Sequence, residues 1–220
     1  MVFSLMDIWI LKETILDRQY EQASVTLQDH WTVIDIGAAL GDYSVWAGKQ
    51  IPHGRLIAVE PYPQSVSLLR VNLEKNKVLN AEIFTGAIAS SNGTTSLTVT
   101  EGKVVQNSTA VSHETGHEID VRTITLDELM KSFSIQKCDY LKIDCEGGEY
   151  EILFTTPKET LAQIDRICME IHDGLTVHTR KEMIDFLNIN GFVTRLTPNP
   201  VHQELAFLYA EKSTHKKERS

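Results

Sequence analysis

Two strand-like runs in this chain end on ionisable side chains. YLKID closes on Asp144, with Glu146 two residues further in a glycine turn, and CMEIH closes on Glu170 and His172. Alternation along a strand puts Lys142 and Asp144 on one face, and Glu170 and His172 likewise on one face. Open α/β sheets bind ligands outside the carboxyl ends of their strands, so a group of acids and one histidine is expected to converge there. An imidazole, with its pKa near ~6.5, can take the proton of a hydroxyl nucleophile. His172 is therefore the candidate general base, with Asp144 and Glu146 as catalytic candidates beside it. Asp144 also suits an ammonium group or the substrate, and Lys142, inside an apolar strand, is expected to pair with a nearby acid. Asp144, Glu146, Glu170 and His172 offer oxygen and nitrogen to a divalent cation as well. No dedicated metal motif is present, and no metal is expected. His113 and His117 lie four apart in SHETGHE, but the Thr-Gly between them and the missing H-E-x-x-H order favour a loop.

A second candidate site lies upstream. VIDIGAALGDYSVWA, Val33 to Ala47, reads as a strand, a glycine turn and a helix. The dinucleotide fingerprint G-x-G-x-x-G needs its middle glycine so that the backbone can approach a pyrophosphate. Here Ala39 stands between Gly37 and Gly41, and Asp42 falls at the helix start, where a carboxylate can cap the helix. Its charge would repel a phosphate from a position that otherwise attracts anions. Glu60, closing the strand LIAVE, can accept both hydroxyls of a ribose. Ribose recognition without phosphate recognition fits S-adenosylmethionine, with the Asp35-Ile-Gly37 turn passing the methionyl portion.

The elements needed to position these groups are legible. Strands alternate with helices throughout, the pattern of a parallel, doubly wound sheet. A helix is expected from about Gln64 to Asn76, with Val66, Leu69 and Leu73 on one face. Thr125 with Glu128 and Thr179 with Glu182 fit capping boxes, and Thr156-Pro157 with Glu159 fits a helix start with proline at its first position. Gly191 ends a helix in a left-handed conformation, after which FVTRL and ELAFLYA are expected to pair as an antiparallel hairpin. Residues 90–121 break the alternation. They contain strand-like pieces near Leu97–Thr100 and Ile119–Thr123 around a polar stretch, expected to be a surface loop or a lid over the acceptor.

The 220 residues suit one domain, with an amphipathic helix in residues 1–24 and a basic tail at 212–220. That first helix carries Asp7, Lys12 and Glu13 and is not a membrane span. Hydrophobic residues make up 42% and charged residues 23%, ordinary for a globular protein. A net charge of -9 disfavours a nucleic-acid partner. Cys138, Cys145 and Cys168 lack metal-site spacing and read as free thiols in strands, which fits a cytoplasmic protein.

VIDIGAALGDYS, AVEPYP, TLDEL, YLKIDCEGGEYEIL and CMEIH resemble, in order, the motifs of the FkbM-type S-adenosylmethionine-dependent methyltransferases. The resemblance runs from about Val33 to Ala210, and LKIDCEGGE is its most specific part. It implies a class I methyltransferase fold, Rossmann-like, with a seven-stranded, mostly parallel sheet and a final antiparallel strand. Asp35, Gly37, Gly41, Glu60, Asp144, Glu146, Gly147 and Glu149 carry over from its motifs. The cofactor contacts it implies are Asp35, Gly37, Ala39, Gly41, Tyr43, Ser44, Glu60, Pro61, Ala87 and Asp144. At Ala39 the family more often has asparagine. The activity implied is O-methylation of a hydroxyl on a small metabolite, natural product or sugar, with no nucleic-acid and no membrane partner. A cofactor-binding module without catalysis and a nucleic-acid methyltransferase are the alternatives. The acidic balance and the lack of an aromatic-basic motif count against the latter.

Overall fold

The structure is a computed structural model and describes residues 25–99, 117–145, 147–172, 174–199 and 205–213. The expected N-terminal helix, His113, Glu146 and most of the expected lid and tail lie outside the described residues. In chain order the elements are β1 (Thr32–Ile36), α1 (Asp42–Gln50), β2 (Arg55–Glu60), α2 (Pro63–Lys75), β3 (Ala81–Thr85), β4 (Ala87–Ile88), β5 (Gly93–Val99) and β6 (His117–Ile124). They continue with α3 (Leu126–Ser132), β7 (Tyr140–Ile143), α4 (Glu149–Thr155), α5 (Lys158–Ala162), β8 (Arg166–His172), α6 (Arg180–Ile189), β9 (Phe192–Pro198) and β10 (Leu205–Lys212).

Seven strands form one sheet in the order β3-β2-β1-β7-β8-β10-β9. The first five run parallel, and β10 lies antiparallel between β8 and β9. The doubly wound sheet and its closing hairpin are those the sequence predicts. The strand-like pieces of the 90–121 segment become β5 and β6, an antiparallel pair that joins the short β4 in a second sheet. The basic tail begins later than expected, because Lys212 still pairs with Phe192.

Strand alternation divides the large sheet into two unlike faces. Ile34, Ile36, Ile57, Val59, Leu141, Ile143, Ile167, Met169 and Ile171 all point into the largest apolar cluster. On the opposite face Val33, Leu56, Tyr140 and Cys168 pack with Tyr43 and Ala47 of α1. Continuing those four strands on that second face gives Asp35, Glu60, Lys142 and then Asp144, Glu170 and His172. Toward the carboxyl ends of the strands one face is thus apolar, whereas the other turns ionisable.

Local signals explain the element ends. Thr179 and Glu182 form the full capping box of α6. Thr125 caps α3, but only half of the box forms, because its N–H donates to Asn92 Oδ1 instead. Pro157 is the residue before α5 rather than its first residue, and Thr156 instead closes α4 by donating to the Ile152 carbonyl. Gly191 follows α6 at φ 83°, as expected. Cys138, Cys145 and Cys168 are free thiols. Burial pushes the Cys168 thiol up to about 11, and Cys145 lies in the turn after β7, not in a strand.

The turn after β1 holds three residues at positive φ: Gly37 at 78°, Ala39 at 47° and Gly41 at 89°. A Cβ on Gly37 would stand 1.7 Å from the Asp144 carbonyl oxygen, so only glycine fits there. Ala39 is a different case. Its methyl group makes the left-handed conformation costly, by about 1–2 kcal/mol, whereas asparagine tolerates it. An asparagine at this position, as the resemblance leads one to expect, would thus have a backbone reason. Ala39→Asn is expected to stabilise the protein by about 1 kcal/mol and raise its melting temperature by ~2–4 °C. Circular-dichroism melting checks this, and an unchanged or lower midpoint counts against strain at Ala39.

Candidate active site

Lys142 is the centre of the site. It pairs in register with Asp35 across β1 and β7, is 3% exposed, and places Nζ 3.1 Å from Asp35 Oδ1 and 3.6 Å from Asp144 Oδ2. Nζ also donates to the Gly37 carbonyl at 3.0 Å. Burial alone would lower its pKa, but Asp35, Asp144 and Asp42 outweigh that and hold it above the ordinary lysine value. The other Asp35 oxygen accepts from Ser44 Oγ at 2.6 Å. Tyr43, 2% exposed, lies beneath the ammonium with its ring centroid 5.8 Å away.

Asp35, Tyr43 and Ser44 are therefore enclosed behind the turn, with Asp35 and Ser44 bonded to each other. Of the expected cofactor contacts, these three have buried side chains. Asp42 differs from its expected place as a helix cap. Gly41 is the N-cap of α1 and no side-chain cap bond forms, while Asp42 is the first helical residue, charged against the positive helix end and Lys142. The half-exposed positions along these strand ends are Gly37, Ala39, Pro61, Asp144, Cys145 and Glu170. Ala87, in β4, is buried.

Glu60 closes β2 with its carboxylate over the turn. One oxygen accepts from the Ala39 N–H at 2.9 Å and the other from the Tyr62 N–H at 2.8 Å. Burial pushes its pKa from 4.5 up to about 7, against the two N–H donors and Lys142, which act to lower it. A carboxylate has about four lone-pair positions, so two bonds leave Glu60 able to accept more.

On the other side of Lys142, Asp144, Glu170 and His172 come together, one ligand-type atom of each lying within 4.8 Å of the others. Two carboxylates and an imidazole so placed can hold a hydroxyl group or a cation. His172 is 8% exposed, and its Nδ1 stands 3.3 Å from Glu149 Oε1. Glu149, fully buried, accepts on the same oxygen from the N–H groups of Cys145 and Gly147, at 3.2 Å each. It holds the turn after β7 through these bonds and stands beside the histidine at ion-pair distance. The resemblance marks Glu149 as a motif residue, but the sequence assigns it no role, because an acid opening a helix is commonplace.

Comparison with known proteins settles what these strand ends belong to. A model of the methyltransferase FkbM domain matches residues 35–194. The chain belongs to the FkbM methyltransferase family. It is 23% identical to the 31-O-demethyl-FK506 methyltransferase FkbM of Streptomyces tacrolimicus, over 88% of this chain and 84% of that one. It is also 22% identical to the AMB antimetabolite synthetase AmbE of Pseudomonas aeruginosa, covering 84% of this chain but only 10% of that much longer protein. A methyltransferase FkbM structure from Methylobacillus flagellatus superposes with a TM-score of 0.60 at 11% identity, over 86% of this chain and 45% of that one. The protein is an S-adenosylmethionine-dependent methyltransferase of class I fold.

The residues fit that cofactor. S-adenosylmethionine carries a sulfonium and an ammonium, which suit carboxylates, and it lacks phosphate, which Asp42 would repel. Glu60 has acceptor capacity to spare beside the turn.

Two outcomes follow from these geometries. Removing the ammonium leaves Asp35 charged, buried and unpaired, so Lys142→Ala is expected to cost about 3–5 kcal/mol in urea unfolding; a cost below about 1 kcal/mol would contradict the pairing. Glu60 binds its proton more tightly folded than unfolded. Its contribution to stability is therefore full below about pH 4.5 and is lost as pH rises through about 7. Without cofactor, the stability of the wild type relative to Glu60→Gln should fall between pH 5 and 8, and parallel curves would remove Glu60 as the source.

Proposed function

We propose that this methyltransferase acts on a hydroxyl oxygen of a small metabolite, natural product or sugar. The observation that carries the reading is the convergence of Asp144, Glu170 and His172 at the strand ends beside the glycine turn. When bound, S-adenosylmethionine supplies an electrophilic methyl group. The Gly37–Gly41 turn and Glu60 hold its methionyl and ribose portions, and Asp144 faces the side where ammonium and acceptor meet. The trio seats the acceptor hydroxyl and relieves it of its proton, the step an oxygen nucleophile needs and a thiolate or amine needs less. Holding the reacting groups in line is itself worth about 7–11 kcal/mol in well-oriented systems. His172, at the edge of the group and beside Glu149, is the residue on which proton removal depends most. The net charge of -9 supports a small acceptor over a nucleic acid, although the class I fold by itself does not decide this.

Incubation with methyl-labelled S-adenosylmethionine tests the reading, using separate pools of hydroxyl-bearing small metabolites and of RNA. Label is expected in the small-molecule pool as a methoxy group. His172→Ala should lower turnover at saturating cofactor by about 100-fold or more while S-adenosylhomocysteine still raises its melting temperature. Label confined to RNA would overturn the acceptor class, and cofactor binding without transfer to any pool would make the protein a binding module.

A further inference from the structure

We propose that Asp144, Glu170 and His172 form a site for a divalent cation of the magnesium or manganese type. The inference rests on the methyl-transfer reading for its purpose, but the site stands on its own geometry. Two carboxylates and one imidazole offer three ligand atoms mutually within 4.8 Å, close enough for small side-chain adjustments to bring all three onto one ion. Oxygen-rich sets favour hard cations, and a single imidazole is compatible with manganese. The ligands come from two neighbouring strands that pair in parallel. That is why no contiguous motif announces the site in the sequence, where no metal was expected.

Glu149 supplies the second observation. A histidine that ligates a metal commonly gives its other N–H to a carboxylate, which fixes the ring and raises its basicity. Here Nδ1 of His172 stands 3.3 Å from Glu149 Oε1, at ion-pair distance but outside hydrogen-bond geometry, so a small turn of the ring would give that carboxylate the Nδ1 proton and leave the lone pair on Nε2. Glu149 is wholly buried, yet its Oε2 has no hydrogen-bond partner among the described residues. A bare buried carboxylate oxygen is costly. Positive charge drawn onto the adjoining ring by a bound cation would offset that cost. Three carboxylates thus stand near one imidazole, while Lys142, beside Asp144, is shared between Asp144 and Asp35.

Three protein ligands leave coordination positions open in an octahedral site. An acceptor hydroxyl taking one of them would have its pKa lowered by the charge of the cation. Its proton passes to solvent water, and the oxygen remains as the nucleophile. In this arrangement His172 is a ligand rather than the base its strand position suggests.

Manganese binding to the full chain, saturated with S-adenosylhomocysteine, tests the proposal by electron paramagnetic resonance. A single bound Mn²⁺ is expected, with spin-echo modulation from a directly coordinated nitrogen. His172→Ala should abolish the nitrogen signal. Glu170→Gln, at a half-exposed position and so the safer variant for folding, should weaken Mn²⁺ binding by about tenfold or more. Both should keep their thermal shift with S-adenosylhomocysteine. A wild-type protein that binds S-adenosylhomocysteine but no Mn²⁺, or binds Mn²⁺ without nitrogen modulation, overturns the cation site and leaves the methyltransferase reading intact. Failure to bind S-adenosylhomocysteine would instead count against the placement of the cofactor.

Discussion

The buried ammonium of Lys142 is the interaction on which the rest of the site depends. It joins Asp35 of β1, the Gly37 carbonyl of the turn and Asp144 beyond β7. Two segments distant in sequence, β1 with its turn and the end of β7, are thereby held at one point. Compared with a well-packed apolar pair, such a buried ion pair need not stabilise a fold, but breaking it is costly. Its effect is positional. The backbone confirms how closely the parts fit, since the Asp144 carbonyl occupies the space a side chain at Gly37 would need. Val59, through its carbonyl, and Glu60, through its carboxylate, then hold the next N–H groups of the turn. The turn is set before any ligand arrives, so little ordering remains to oppose binding.

The two-faced sheet explains why ionisable groups can gather here without dissolving the core. Nine side chains of β1, β2, β7 and β8 make the opposite face apolar behind the site. Tyr140 and Cys168 keep the site-bearing face apolar until the last residues of their strands. Chain order reverses between β1 and β7, which opens a crevice at the carboxyl ends of these strands. Asp35 and Lys142 fill its floor, Glu60 one side, and Asp144, Glu170 and His172 the other.

Much of this was legible in the sequence, because it depends on period and on residue type. Alternation placed Lys142 with Asp144 and Glu170 with His172, and an acid partner for Lys142 followed from burying a lysine in an apolar strand. The Thr179 box, Gly191 and the terminal hairpin rest on local chemistry and were equally readable. What escaped depends on three-dimensional neighbours. Nothing in the local sequence of Asp35 shows that Lys142 and Ser44 are its partners. Thr125 has the residues of a capping box, but Asn92, far away in sequence, takes its N–H. No local pattern predicts that Ala39 must adopt positive φ, since that demand arises from the path between Gly37 and Gly41. The short β4 is too brief to carry a period of its own.

The positions that break ordinary rules are not scattered. Ala39 holds a conformation that alanine disfavours, Glu60 keeps a carboxylate where burial opposes its charge, and Glu149 hides an oxygen without a hydrogen-bond partner among the described residues. All three lie at or just beyond the carboxyl ends of β1, β2 and β7, where the ionisable face begins. Local conflicts of this kind survive in a folded chain where function requires them and the surrounding structure compensates. The compensation here is the apolar face behind the strands and the ammonium between them. The acidity of the crevice is then not an accident of surface composition. It matches the chemistry of S-adenosylmethionine, whose sulfonium, ammonium and ribose hydroxyls all favour carboxylate partners.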